Sequence, residues 1–210
     1  MTLSPTSFAL LGLLSVRSWT TYELANQTTR SLQYFFPRAE RHLYAEIKRL
    51  ADAGLAKSET TFTGKRRTTS YAITPAGRKA LRVWLRTPPA PPALEAEVLA
   101  RAFFADSGRQ QDLLASLDVA REQAVATQRD LAAMAQSTLD GEAPFPERSS
   151  LGALSLRFVT DFHRLIERWA IWAAAEVATW EHTDGRDWDG VSAVVEDVAR
   201  VGHGRSGRTV

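Results

Sequence analysis

The chain contains no cysteine, which excludes disulfides, thiolate nucleophiles and cysteine-ligated zinc and fits a reducing cytoplasm. Long hydrophobic runs are lacking as well. The apolar stretch from Met1 to Ser15 is interrupted by Ser4-Pro5, has no basic leader and is too short to span a bilayer. The Trp-rich stretch from Phe158 to Trp180 is broken by charges. A cytoplasmic protein with no signal peptide and no membrane partner is expected. Histidine is scarce and scattered over His42, His163, His182 and His203, and the last-helix pair His163 and His182 stand too far apart to share one metal. There is no glycine-rich phosphate loop and no Gly-x-Ser-x-Gly elbow, so no catalytic residue, metal or cofactor is expected and an enzyme is the least supported class.

What the chain does have is a charge split hidden by its net charge of +2. The first 86 residues hold 14 Lys/Arg against 5 Asp/Glu, and the remaining 124 hold 12 against 19. One end is suited to a polyanion and the other is not. With 210 residues, 44% of them apolar, the chain has material for two modest domains.

In the basic half, Ser4-Pro5 is a helix start, and Phe8, Leu10, Leu11, Leu13 and Leu14 make the first helix apolar nearly all round. Such a helix belongs in the middle of a domain. Thr20-Thr21-Tyr22-Glu23 is a capping box that opens a second helix to about Ser31. From Arg38 to Ala53, Leu43, Ile47 and Leu50 form a core stripe, while Arg38, Arg41, Ala45, Lys48, Arg49 and Asp52 collect opposite, with His42 and Tyr44 at the edges. Cations around a small central alanine let a helix sit deep in a major groove, although a cationic face taken alone reads more readily as solvated surface. Gly54 then stops the helix. Leu55 to Phe62 and Thr69 to Ile73 read as two strands joined by a turn from Thr63 to Thr68, which places Lys65, Arg66 and Arg67 at the tip. Three adjacent cations there suit a phosphate backbone or a minor groove. Thr74-Pro75 opens a fourth helix containing Ala80, Leu81, Trp84 and Leu85, and Pro88-Pro89-Ala90-Pro91-Pro92 ends the domain. Three helices followed by a two-stranded hairpin make a winged helix-turn-helix.

The order of these segments resembles the PadR family of bacterial transcriptional regulators over essentially the whole chain. The resemblance is carried by Leu3-Ser4-Pro5-Thr6-Ser7-Phe8-Ala9-Leu10-Leu11-Gly12-Leu13-Leu14, by Tyr22-Glu23-Leu24, by Leu43 to Leu50 leading into Ala53-Gly54-Leu55, and by Tyr71-Ala72-Ile73-Thr74-Pro75-Ala76-Gly77-Arg78. It implies a homodimer bound to a palindromic operator, usually as a repressor, with the C-terminal helices forming the dimer interface. It also implies that Tyr22 and Tyr44 contact the phosphate backbone; the alternative for either is a ring packed between helices. Thr20-Thr21 departs from the family's usual small residue and glycine, and the wing is richer in arginine than many.

In the acidic half, Leu94 to Ala105 reads as a short helix, and Ser107 with Gln110 as the cap of a long one. Leu113, Leu117, Ala120, Ala124, Leu131 and Met134 hold its stripe to about Thr138. A last long helix runs from about Ser150 to Glu181, with a seam of Leu151, Phe158, Phe162, Leu165, Trp169 and Trp172 broadened by Val159, Ile166, Ala173 and Trp180. Two helices cannot hide a stripe this wide, and a partner subunit is the economical cover. Phe158, Phe162, Leu165, Trp169, Trp172 and Glu176 are therefore expected at a dimer interface or at a pocket for a small aromatic or cationic effector; plain core packing is the competing reading.

The expected organisation is mainly α: a winged-helix DNA-binding domain over 1–87, a proline-rich linker over 88–93, a helical dimerisation and effector domain over 94–185, and an extension over 186–210 whose last residues are disordered. Double-stranded DNA and a second copy are the expected partners. A winged helix that binds protein in place of specific DNA is the alternative.

Overall fold

The computed structural model describes residues 3–34, 36, 39–63, 66–181 and 188–203, with backbone alone at 39–41, 63, 66–67, 188–190 and 201–203. The chain divides into two units, Met1–Pro92 and Ala93–Val210. Among the described residues no helix is long and apolar enough to cross a membrane.

The first unit contains helices α1 (Pro5–Val16), α2 (Thr21–Ser31), α3 (Ala39–Asp52) and α4 (Pro75–Trp84), and strands β1 (Trp19–Thr20), β2 (Ala56–Thr63) and β3 (Arg66–Ile73). Ser4 starts α1 by accepting a hydrogen bond from Ser7 N at 3.1 Å, with Pro5 at the first helical position. Leu10, Leu11 and Leu14 of α1 are buried with Leu24 and Thr28 of α2 and Leu43, Ile47 and Leu50 of α3. Each of these leucines contributes about 1.5–3 kcal/mol by leaving water, so the three helices form one core with α1 at its centre. Helix α4 closes the unit beside α1, where Trp84 stacks on Phe8 with ring centroids 4.9 Å apart.

Two features of the sheet differ from expectation. It has three strands in the order β1-β3-β2, because Trp19 and Thr20 pair antiparallel with Tyr71 and Ser70. Trp19 is buried, and its Nε1 donates to Leu13 O at 2.8 Å, which ties the edge strand to α1. The hairpin also stays paired further out, from Ala56↔Ile73 to Thr63↔Arg66. The expected turn over Thr63 to Thr68 is thus mostly strand, because β-branched threonines at 60, 61, 63, 68 and 69 favour extension.

At the root of the hairpin Gly54 adopts φ +68°, a left-handed conformation that ends α3. Thr74 Oγ1 then donates to Gly54 O at 2.7 Å and caps α4 by accepting from Gly77 N at 3.1 Å. Gly77 is buried so closely that a Cβ there would overlap the carbonyl oxygen of Leu55.

The second unit contains α5 (Glu97–Phe103), α6 (Gln110–Leu139), α7 (Ser149–Ala178) and α8 (Trp188–His203). Helix α6 begins without Ser107: the Asp112 carboxylate accepts from Arg109 N at 3.3 Å, while Ser107 closes a short 3-10 turn. Helices α6 and α7 run antiparallel, as shown by Gln110 donating to Val177 O and Trp180 O at 2.7 Å and Gln128 donating to Glu167 at 2.7 Å. Their shared seam is Leu113, Leu117, Ala120, Ala124 and Leu131 against Val159, Ala170, Ala173 and Val177.

That seam takes up only part of the apolar stripe of α7. Leu151, Leu154, Phe158, Leu165 and Trp172 are exposed in the single chain, Phe158 by 67%, because alanine and valine a quarter-turn away let α6 approach more closely than the aromatics could. Within the expected C-terminal extension, Trp188–His203 is helical. Residues 204–210, expected to be disordered, lie outside the described residues.

Candidate nucleic-acid interface

Helix α2 and helix α3 form a helix-turn-helix whose outer sides are the candidate interface. Helix α2 is fixed at its start by reciprocal bonds: Glu23 N donates to Thr20 Oγ1 at 3.2 Å, and Thr20 N donates to Glu23 Oε2 at 2.8 Å. These bonds to Thr20, with Arg17 at 2.9 Å, hold the Glu23 carboxyl below its ordinary pKa, so this cap stays ionised. Arg17 in turn lies over the Trp19 ring, 3.7 Å from its centroid. The first residue exposed by this cap is Tyr22, 71% accessible, with its ring outside the core.

Helix α3 is sharply two-sided. Leu43, Ile47 and Leu50 have no more than 1% exposure, whereas His42, Tyr44, Ala45, Lys48 and Asp52 are all exposed, Tyr44 by 63%. Neither Tyr22 nor Tyr44 therefore packs its ring between helices.

Arg49 departs from the expected face. Its Nη2 donates to Ser7 Oγ at 3.0 Å and to Glu46 Oε2 at 2.9 Å, and its Nε is buried without a hydrogen-bond partner. At the margin of the stripe a long side chain reaches either way, and here the carboxylate one turn back draws it inward. Ser7 and Glu46 were not among the expected site residues; a buried serine beside the helix cap was the available signal.

The hairpin supplies the second part of the interface. Backbone pairing places Arg67 opposite Phe62 and Arg66 opposite Thr63, so these two arginines stand on the strand and not in the connecting turn as expected. Phe62, also missed, is 70% exposed near the tip, where no core lies beneath it. An apolar ring beside paired cations is the residue combination that minor-groove binders use. Arg38 and Lys65 lie outside the described residues, as do the side chains of Arg41, Arg66 and Arg67.

In the second unit the expected group separates. Trp169, Trp172 and Glu176 line a cavity of about 150 Å³ with Ala102, Leu113, Leu117, Ala173, Val177 and Trp180. Phe158 and Leu165 belong to the exposed stripe, and Phe162 lies edge-on to His163, 5.6 Å between centroids.

Comparison with known proteins follows the same outline. Residues 10–83 match the family model described as the transcriptional regulator PadR-like family. The negative transcriptional regulator PadR of Bacillus subtilis (strain 168) is 30% identical over 99 residues, which is 46% of this chain and 54% of that protein, so the chain spans about half the length of this curated relative. The crystal structure of Bacillus subtilis PadR in complex with operator DNA is similar with a TM-score of 0.67 at 22% identity, covering 81% of this chain and 98% of that one. The structure of the same Bacillus subtilis protein in complex with p-coumaric acid gives a TM-score of 0.60 at 20% identity, covering 85% and 100%. At such identities the structures establish the fold. The motifs, the winged helix-turn-helix and the family match coincide on one segment: residues 10–83 of this chain match the transcriptional regulator PadR-like family.

Proposed function

We propose that the chain is a cytoplasmic DNA-binding transcriptional regulator, acting as a homodimeric repressor on a palindromic operator and released by a small-molecule effector. The observation that carries this reading is the exposed row His42, Tyr44, Ala45 and Lys48 on a helix whose other side is fully buried. In the proposed complex this row enters the major groove, Tyr22 and Tyr44 bond to phosphates, and the hairpin cations Lys65, Arg66 and Arg67 follow the neighbouring backbone, with Arg38 and Arg41 at the start of α3. The fold is shared with a protein crystallised on operator DNA, which supports the same use of the surface.

The exposed stripe Leu151, Leu154, Phe158, Leu165 and Trp172 supports the dimer. These residues follow one another at steps of three, four, seven and seven, the spacing of a helix–helix seam, with no cover in the single chain. A two-fold dimer would present two copies of α3 to successive major grooves roughly 34–36 Å apart. The cavity among the tryptophans supports an effector, as does the p-coumaric acid complex of the Bacillus subtilis protein.

The test is binding of the purified protein to its own upstream DNA and to scrambled duplex across a salt series, with mass determined by light scattering. A dimer that prefers the upstream fragment by about a thousandfold, with affinity falling steeply in salt, is the expected result. Equal and weak binding to both fragments would favour a protein partner for the basic face.

A further inference from the structure

We infer that the cavity between α5, α6 and α7 is a cage for a small alkylammonium group, an inference that rests on the effector reading above for its regulatory consequence and on the site alone for binding. Three of the six tryptophans of the chain line it: Trp169 and Trp172 on α7, and Trp180 just beyond its end. At 100° per residue these positions, with Glu176, fall on one side of the helix. Leu113, Leu117, Ala173 and Val177 are buried together beneath them, with Ala102 of α5 packed alongside, so the floor is apolar and the alanines leave the space.

Tryptophan faces are the strongest aromatic partners for a cation, and a nearby carboxylate adds direct charge pairing. Glu176 is free to serve. Among the described residues no hydrogen bond or ion pair engages its carboxylate, although the other acids of α7 are all held: Asp161 by Arg157 and Arg164, Glu167 by Gln128. An apolar pocket with one unneutralised carboxylate disfavours an anion and favours a cation that sheds little water, such as a methylated ammonium.

Size narrows the ligand further. A cavity of about 150 Å³ has room for a single benzene-sized group, so a trimethylammonium head fits. The class is thus a small quaternary ammonium.

The experiment titrates the full chain with choline chloride, with its uncharged isostere 3,3-dimethyl-1-butanol and with p-coumarate, at constant ionic strength, by calorimetry and tryptophan fluorescence. Choline is expected to bind saturably and about tenfold more tightly than the isostere, with no saturable signal from p-coumarate. Glu176→Gln should weaken choline about tenfold and leave the isostere unchanged. Equal affinity for choline and its isostere, tighter binding of p-coumarate, or no saturable binding of choline overturns the inference. Choline binding that leaves operator affinity unchanged would uphold the cage and remove only its regulatory use.

Discussion

The hydroxyl of Ser7 on α1 donates to Glu46 Oε2 on α3 across 2.5 Å, with Ser7 completely buried and the Glu46 side chain only 16% exposed. The helix at the centre of the core thus holds the inner edge of the helix proposed to read DNA. Arg49 completes a triangle with both groups. Ser7→Ala would leave the triangle without its hub and is expected to destabilise the first unit by about 1–3 kcal/mol. The urea midpoint measures this. Preference for operator over scrambled duplex should fall with it, since base-edge contacts depend on the set of α3 more than phosphate contacts do. An unchanged midpoint would mean that the triangle contributes nothing.

Tyr22 and Tyr44 are both far out of the core, so removing their hydroxyls should cost little stability. Each of Tyr22→Phe and Tyr44→Phe is expected to weaken binding to all duplexes by roughly 0.5–1.5 kcal/mol. Lys48→Ala should also lower the salt slope by about one counterion. Gel-shift or anisotropy titrations at several salt concentrations separate the two effects, and a full salt slope in the Lys48 variant would remove that lysine from the interface.

Phe158 and Leu165 are exposed on α7 while the seam with α6 runs along Val159, Ala170, Ala173 and Val177. Leu165→Asp is therefore expected to leave the helical content of the chain intact and to convert the proposed dimer to monomer in light scattering. Operator affinity should drop with it, because two half-sites would no longer be held together. A dimer that survives this change would place the interface elsewhere.

His163 gives the second unit a pH dependence of defined sign. Burial lowers its pKa from the ordinary 6.5, and its Nδ1 is buried without a hydrogen-bond partner. The unfolded chain then binds a proton more readily than the folded one. Stability from this group is complete above about pH 6.5 and declines as the pH falls from there through the lower folded value. His163→Gln is expected to flatten the dependence of melting temperature between about pH 7 and pH 5.5, and an unaltered slope would show that other groups set it.

Much of this structure is legible in the residues because local chemistry and periodicity agree. Ser4-Pro5, Thr20 with Glu23, and Thr74-Pro75 cap helices where the sequence places caps, and the Leu43, Ile47 and Leu50 stripe is buried as its spacing implies. Strand β1 was not legible, since two residues carry no alternation and Trp19 pairs only because Tyr71 lies beside it in space. Arg49 was not legible for a related reason: a long cation at the border of an amphipathic helix has the same sequence signature whether it meets solvent or a buried serine.

Helix α7 shows a different limit. Its large apolar residues and its small ones occupy neighbouring sides, and hydrophobicity alone ranks the aromatics as core. Closeness of approach decides otherwise, so the alanines and valines meet α6, Trp169 packs at their edge and Phe158 and Trp172 stay exposed. The tryptophan cavity was legible as a group of residues, but Trp180 as a third wall required knowing where the end of α7 meets α5 and α6.

The root of the hairpin has a mechanical consequence. Gly54, Leu55, Thr74 and Gly77 tie the end of α3, the residue before β2 and the start of α4 into one joint, in which Gly77 has no space for an added side chain. Recognition helix and hairpin then move as a single lever, like the two tines of one fork. In the proposed complex a half-site has to fit both tines at once.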